Sequence, residues 1–108
     1  MFDSVPGALL QAPVAATVTE DAERILCVRY LLRADPSPGL LPRLLQPLAK
    51  RDLVPERFRA ACEGEVMRVE IGVTLPEGMV HLVAGNLRSV VGVMRLEVEH
   101  GRVISQAA

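Results

Sequence analysis

Aromatic residues are nearly missing from this sequence, which has no tryptophan, one tyrosine and two phenylalanines among 108 positions. A core must therefore be assembled from Val, Leu, Ile and Met. Cysteine is equally sparse. Cys27 and Cys62 are too few and too scattered for a disulfide framework or a zinc knuckle, and they read as small reduced hydrophobes within the folded domain. Nor does charge of one sign dominate. The 12 Lys and Arg against 13 Asp and Glu leave a formal net charge of −1, whereas a general nucleic-acid binder gathers a basic excess on one face. No run approaches the roughly 20 apolar residues needed to cross a bilayer. The N-terminal stretch lacks a positive n-region and carries acids and prolines, unlike a signal peptide. The expectation is a cytoplasmic protein with no membrane and no nucleic-acid partner.

Catalytic signatures are absent too. There is no nucleophile elbow, phosphate loop, HExxH or paired-carboxylate pattern. His81 and His100 have no Cys, Asp or Glu at ligand spacing, which argues against a metal site. No catalytic residue, metal or cofactor is expected, and the chain reads as a non-enzyme.

What the sequence does contain is globular: 50% of residues are hydrophobic and 23% charged. Its length suits one domain, able to bury roughly two thirds of the surface its unfolded chain exposes. Residues 1–23, rich in Ala, Pro, Ser and Thr without a clean period, read as a flexible arm with a short turn near Ala8–Leu10. The body spans 24–100, and 101–108 read as a tail.

Within the body, residues 25–34 alternate as a strand, with Leu26, Val28, Tyr30 and Leu32 on a wholly apolar face. Tyr30 is expected in the core with its hydroxyl reaching an edge. The cluster Asp35-Pro36-Ser37-Pro38-Gly39 stops this strand, and Asp35 or Ser37 is positioned to cap the next helix. That helix carries the stripe Leu40, Leu41, Leu44, Leu45 and Leu48, and Pro47 predicts a kink or a 3₁₀ segment.

A strand follows over 55–63, with Phe58, Ala60 and Cys62 to one side. A turn at Glu63-Gly64-Glu65 leads into a returning strand over 66–73 with Met67, Val69, Ile71 and Val73 inward. Pro76-Glu77-Gly78 opens a second helix whose buried face is Met79, Leu82 or Val83, and Leu87. The last strand, 90–100, sets Met94, Leu96 and Val98 against Arg95, Glu97 and Glu99. The order β-α-β-β-α-β, with each strand apolar on one side, predicts an α+β ferredoxin-like two-layer sandwich: a four-stranded antiparallel sheet with two helices on one face. Its outer face is expected to mix Arg57, Arg59, Arg68 and Arg95 with Glu63, Glu70, Glu97 and Glu99. Without aromatics there, it is no base-stacking platform.

The first strand–helix junction carries a more specific signal. Leu31-Leu32-Arg33-Ala34-Asp35, then Pro38-Gly39-Leu40-Leu41-Pro42-Arg43-Leu44, resembles the N-x-P-G-V-L-x-R-V opening of ACT domains, most closely the small regulatory subunit of acetolactate synthase. Residues 48–57 stand where that family has its F-x-x-R-G-Y-N-I-E-S run, and the likeness extends over 25–99. The resemblance implies a regulatory module that binds a small amino acid where two sheets join. It also implies a homodimer formed through sheet or helix edges and a possible separate catalytic subunit. On the resemblance, Asp35, Ser37, Gly39, Leu40 and Leu41 form one side of the ligand site, and Val54 and Glu56 of a partner's second strand form the other. Gly39 either lets backbone approach the ligand or eases a tight turn.

This sequence departs from the pattern at Val54, where the family has asparagine, at Arg51-Asp52, where it has Arg-Gly, and in a junction loop one residue longer. Two further readings stand beside the first. One is a small cofactor-independent enzyme whose cleft is lined by Tyr30, His81 or His100. The other is an interaction domain that has lost ligand binding, as Val54 suggests.

Overall fold

The computed structural model describes residues 24–106, with side chains as far as residue 101. The arm expected at 1–23 lies outside the described residues. Alternation in the first strand is realised in β1 (Arg24–Ala34). It is followed by α1 (Leu40–Lys50), β2 (Arg57–Glu63), β3 (Val66–Pro76), a 3₁₀ turn (Glu77–Met79), α2 (Val80–Arg88) and β4 (Val93–Gln106). The sheet order is β2-β3-β1-β4, antiparallel throughout. This is the βαββαβ arrangement the periodicity predicts.

One sheet face and both helices form the core. Leu26, Val28, Tyr30, Leu32 and Ala34 of β1 meet Val69, Ile71, Val73 and Leu75 of β3 across the ladder, and all are buried. The helices cover them with Leu40, Leu44 and Leu48 from α1 and with Val80, Val83, Ala84 and Leu87 from α2. Burying such side chains contributes about 1.5–3 kcal/mol each. Tyr30 is fully buried, and its hydroxyl donates to the Val80 carbonyl at 2.9 Å, tying the sheet centre to the start of α2. Its hydroxyl thus meets a helix in the core, where an edge was expected.

Several local expectations change. No side chain caps α1: Gly39 stands at its N-cap, and Ser37 accepts from the Leu40 N–H through its carbonyl, not its hydroxyl. The helix continues through Pro47 to Lys50 without a 3₁₀ segment, with Pro47 itself buried. Leu45 and Leu82 point outward, because the stripes that meet the sheet are Leu40/Leu44/Leu48 and Val80/Val83/Ala84/Leu87. On β2, Phe58 is half-buried but Ala60 and Cys62 are exposed, since this edge strand reaches beyond the helices' cover.

β3 extends to Pro76, and β4 begins at Val93 and continues to Gln106, so residues 101–106 belong to a strand and not to a tail. Met94 is exposed because a register shift opposite Arg33/Ala34 inserts a bulge. Val93 pairs with Ala34 and Arg95 with Arg33, leaving Met94 unpaired between them.

Beyond α1 the chain reverses in a Schellman motif. The Leu53 N–H donates to Leu48 O at 2.9 Å and the Asp52 N–H to Ala49 O at 3.1 Å, with Asp52 at φ 58°. Leu53 packs against the core that holds Leu48. The left-handed position coincides with the glycine of the Arg-Gly pattern, and a short polar Asp tolerates it better than most side chains.

Candidate functional site

The corner after β1 is built from backbone. The Asp35 N–H donates to Gly92 O at 2.9 Å, fastening the end of β1 to the turn before β4. Gly92 holds φ 101°, a conformation that favours glycine, with Asp35 O and a Leu40 methyl beside its Cα. Leu40 is fully buried and anchors α1, Leu41 is partly buried, and Asp35 and Ser37 stand in solvent. Val91 and Met94 leave apolar side chains exposed on the neighbouring segment.

Gly39 has φ −93°, which any residue adopts, so the turn itself does not require glycine. A Cβ there would lie 2.7 Å from Nη2 and 3.1 Å from Cζ of Arg43, because that guanidinium folds back against the Gly39 backbone, and a side chain at 39 would displace this flexible group. The missing side chain thus brings a cation to the N-terminal end of α1, where the helix dipole also favours anions.

The second half of the predicted site stands elsewhere. Val54 is 78% exposed, a large apolar side chain left in water. The Glu56 N–H donates to Gly72 O at 2.7 Å, and its carboxylate accepts from the Thr74 hydroxyl at 3.0 Å. Thr74 pairs with Cys27, whereas Asp35 lies beyond the far end of β1. Along the strand, the step from residue 27 to residue 35 spans about 26 Å. One protomer therefore gathers Asp35, Ser37, Gly39, Leu40 and Leu41 at one end of the sheet and leaves Val54 and Glu56 toward the other.

The polar groups of the enzyme reading do not converge. Tyr30 is sealed in the core, its phenol pushed up to about 12 by loss of solvent, and so is unsuited to acid–base work near neutrality. His81 and His100 are exposed on α2 and β4. None of the three lines the concavity on the open sheet face or the groove between the helices. Among the described residues no cluster of His, Cys, Asp and Glu has the makings of a metal site, and no helix is long and apolar enough to cross a membrane.

The open face of the sheet is the feature whose order sequence reasoning missed. Arg29 donates to Glu70 at 3.2 Å and pairs with Glu99, and the hydrogen bond to Glu99 is the larger reason its pKa is raised. Next along the strands, Arg68, Arg33 and Arg95 stand side by side on β3, β1 and β4. Strand parity puts them on one face, but only the register makes them neighbours.

No curated relative matches the sequence significantly. Among solved structures, the chain is similar to the ACT domain of GTP pyrophosphokinase from Chlorobium tepidum, with TM-score 0.61 and 12% identity over 69% of this chain and 86% of that one. It is similar to homoserine dehydrogenase from Thiobacillus denitrificans, with TM-score 0.62 and 15% identity, covering 92% of this chain and 20% of that one. It also resembles the regulatory subunit of aspartate kinase from Thermus thermophilus, with TM-score 0.54 and 13% identity, covering 73% of this chain and 56% of that one. At these identities the likeness is one of fold. A family model described as an ACT-like domain matches residues 20–104.

Proposed function

Since the chain belongs to the ACT-like domain family, whose modules are regulatory, we propose that it binds a small amino acid at an interface between two copies and thereby regulates a separate catalytic protein. The observation that carries this reading is the separation of the site's halves within one protomer, together with a β2 edge that pairs with no strand among the described residues. Antiparallel pairing of two β2 edges about Ala60 would bring the partner's residue 56 level with residue 64 of this chain. That is the end of the sheet where Asp35 lies, because Cys62 pairs with Met67 and Met67 with Ala34. The gap from corner to partner strand then shrinks to about three strand spacings, roughly 14 Å. Exposed Val54 of one copy would come to the same end of the sheet as exposed Val91 and Met94 of the other, which lie one strand farther off, beside β4.

In this arrangement the Arg43 guanidinium and the first N–H groups of α1 receive the effector's carboxylate, and Asp35 receives its ammonium. Glu56 borders the site from the partner, and Ser37, Leu40 and Leu41 shape its wall. The junction's resemblance to the acetolactate synthase small subunit makes a synthase of that kind the first catalytic partner to test.

Thermal unfolding of the full chain with each of the twenty amino acids tests the reading. An effector at about 100 times its Kd adds about 2.7 kcal/mol, which raises the Tm of a domain this size by about 10 °C or more. A flat response to all twenty, with a monomer in light scattering, would overturn it. A flat response from a dimer would favour the interaction domain that has lost its ligand, in keeping with Val54 in the asparagine position.

A further inference from the structure

The arginine row on the open sheet face is an arrangement that stability does not explain. Arg33 pairs directly with Arg68 on one side and Arg95 on the other, and like charges directly opposite one another destabilise a sheet. Arg68 finds Glu63 at 3.2 Å and Arg95 finds Glu97 at 3.8 Å, but Arg33 forms no ion pair among the described residues. Arg59, opposite Glu70 in register, forms none among the described residues either, while Glu70 pairs with Arg29.

These arginines border a concavity of about 760 Å³, within the range of small-molecule sites. Leu31 and Ala61, which pairs with Arg68, supply apolar surface in it, and Glu63, Glu70 and Glu97 share its lining. The neighbouring strands set the arginines about 4.8 Å apart. That spacing lets forked guanidinium groups grip adjacent phosphoryl groups.

We propose that this face binds a small organic diphosphate, its phosphoryl oxygens across Arg68, Arg33 and Arg95 and its organic part against Leu31 and Ala61. Charge complementarity selects the occupant. An anion relieves the repulsion within the row and gives Arg33 the partner it lacks among the described residues, whereas the flanking carboxylates disfavour an extended acidic chain. The site is separate from the amino-acid corner, and edge-to-edge pairing through β2 leaves it open.

The test is isothermal titration of the full chain with inorganic pyrophosphate and with adenosine diphosphate, alongside R33Q and E97Q. Both probes are expected to bind the parent chain, with adenosine diphosphate tighter because its organic part uses the apolar floor. R33Q is expected to weaken both about tenfold or more, the loss of one charge-assisted interaction, while its own Tm without ligand stays level or rises. E97Q, which removes a competing carboxylate, is expected to tighten both. No heat from either probe at about 1 mM, equal binding by R33Q and the parent, or binding of an acidic peptide but neither diphosphate would overturn the proposal.

Discussion

The two faces of the sheet are written by alternate residues of the same strands, yet they follow opposite rules. In β1, Val28, Tyr30 and Leu32 disappear under the helices, while Arg29, Leu31 and Arg33 between them face outward. Among the described residues the covered face holds one buried side-chain hydrogen bond, Tyr30 to Val80, within apolar packing. The open face is a lattice of arginine and glutamate, partly paired and partly in conflict. The difference teaches where stability resides. Packing under the helices holds the fold, which leaves the outer face free to carry charge patterns that a stability-driven surface would avoid.

The comparison breaks if truncation costs the same on both faces. Leu44 is fully buried between α1 and the sheet, and Leu44→Ala is expected to lower stability by about 2–5 kcal/mol through lost transfer energy and a residual cavity. Leu31, partly exposed at the centre of the open face, is expected to cost less than about 1 kcal/mol as Leu31→Ala. Urea titrations of the two variants with unchanged m-values check this directly. Equal losses would mean that the open face is covered in solution.

Tyr30 sharpens the comparison because it is the titratable group buried in the core among the described residues. Removing its hydroxyl in Tyr30→Phe deletes the hydrogen bond to the Val80 carbonyl, which keeps its place in the first turn of α2, at an expected cost of about 0.5–1.5 kcal/mol near neutral pH. The pH dependence has a definite sign. Burial raises the folded phenol to about 12, above its unfolded value of about 10. The hydroxyl's contribution is therefore fully present below about pH 10 and is lost as pH rises toward 12, at about 1.4 kcal/mol per pH unit. Denaturant midpoints of parent and Tyr30→Phe are expected to converge across that window and to run parallel below it.

The covered face was the legible part of the sequence. Alternation in β1 and β3 is strict, and helical spacing marks Leu40, Leu44 and Leu48, so the layer they form follows from local pattern. What escaped depends on pairing between distant segments. The bulge that turns Met94 outward exists only against Arg33 and Ala34, and the exposure of Ala60 and Cys62 follows from β2 lying at the sheet's edge. The corner residues Asp35 to Leu41 are contiguous and readable as a junction. Gly92, which closes that corner through Asp35, is contributed by a turn that no local period connects to it. The arginine row escaped for the same reason, since parity assigns a face but only register assigns neighbours.

The smallest expected effect lies at Arg29, the centre of the open-face lattice. Its guanidinium reaches Glu70 and Glu99 from the middle strand, and both interactions hold it charged. Exposed pairs of this kind contribute little, because water and salt screen them and ordering long side chains costs entropy. Arg29→Gln is therefore expected to lower the Tm by less than Tyr30→Phe does. The deficit should be clearest at low ionic strength, where Glu70 and Glu99, on the two strands that flank β1, lose their shared cation, and should close as salt is added. A loss comparable to that of Leu44→Ala, or one indifferent to salt, would show that this lattice supports the fold as the buried layer does, and the division between the two faces would not hold.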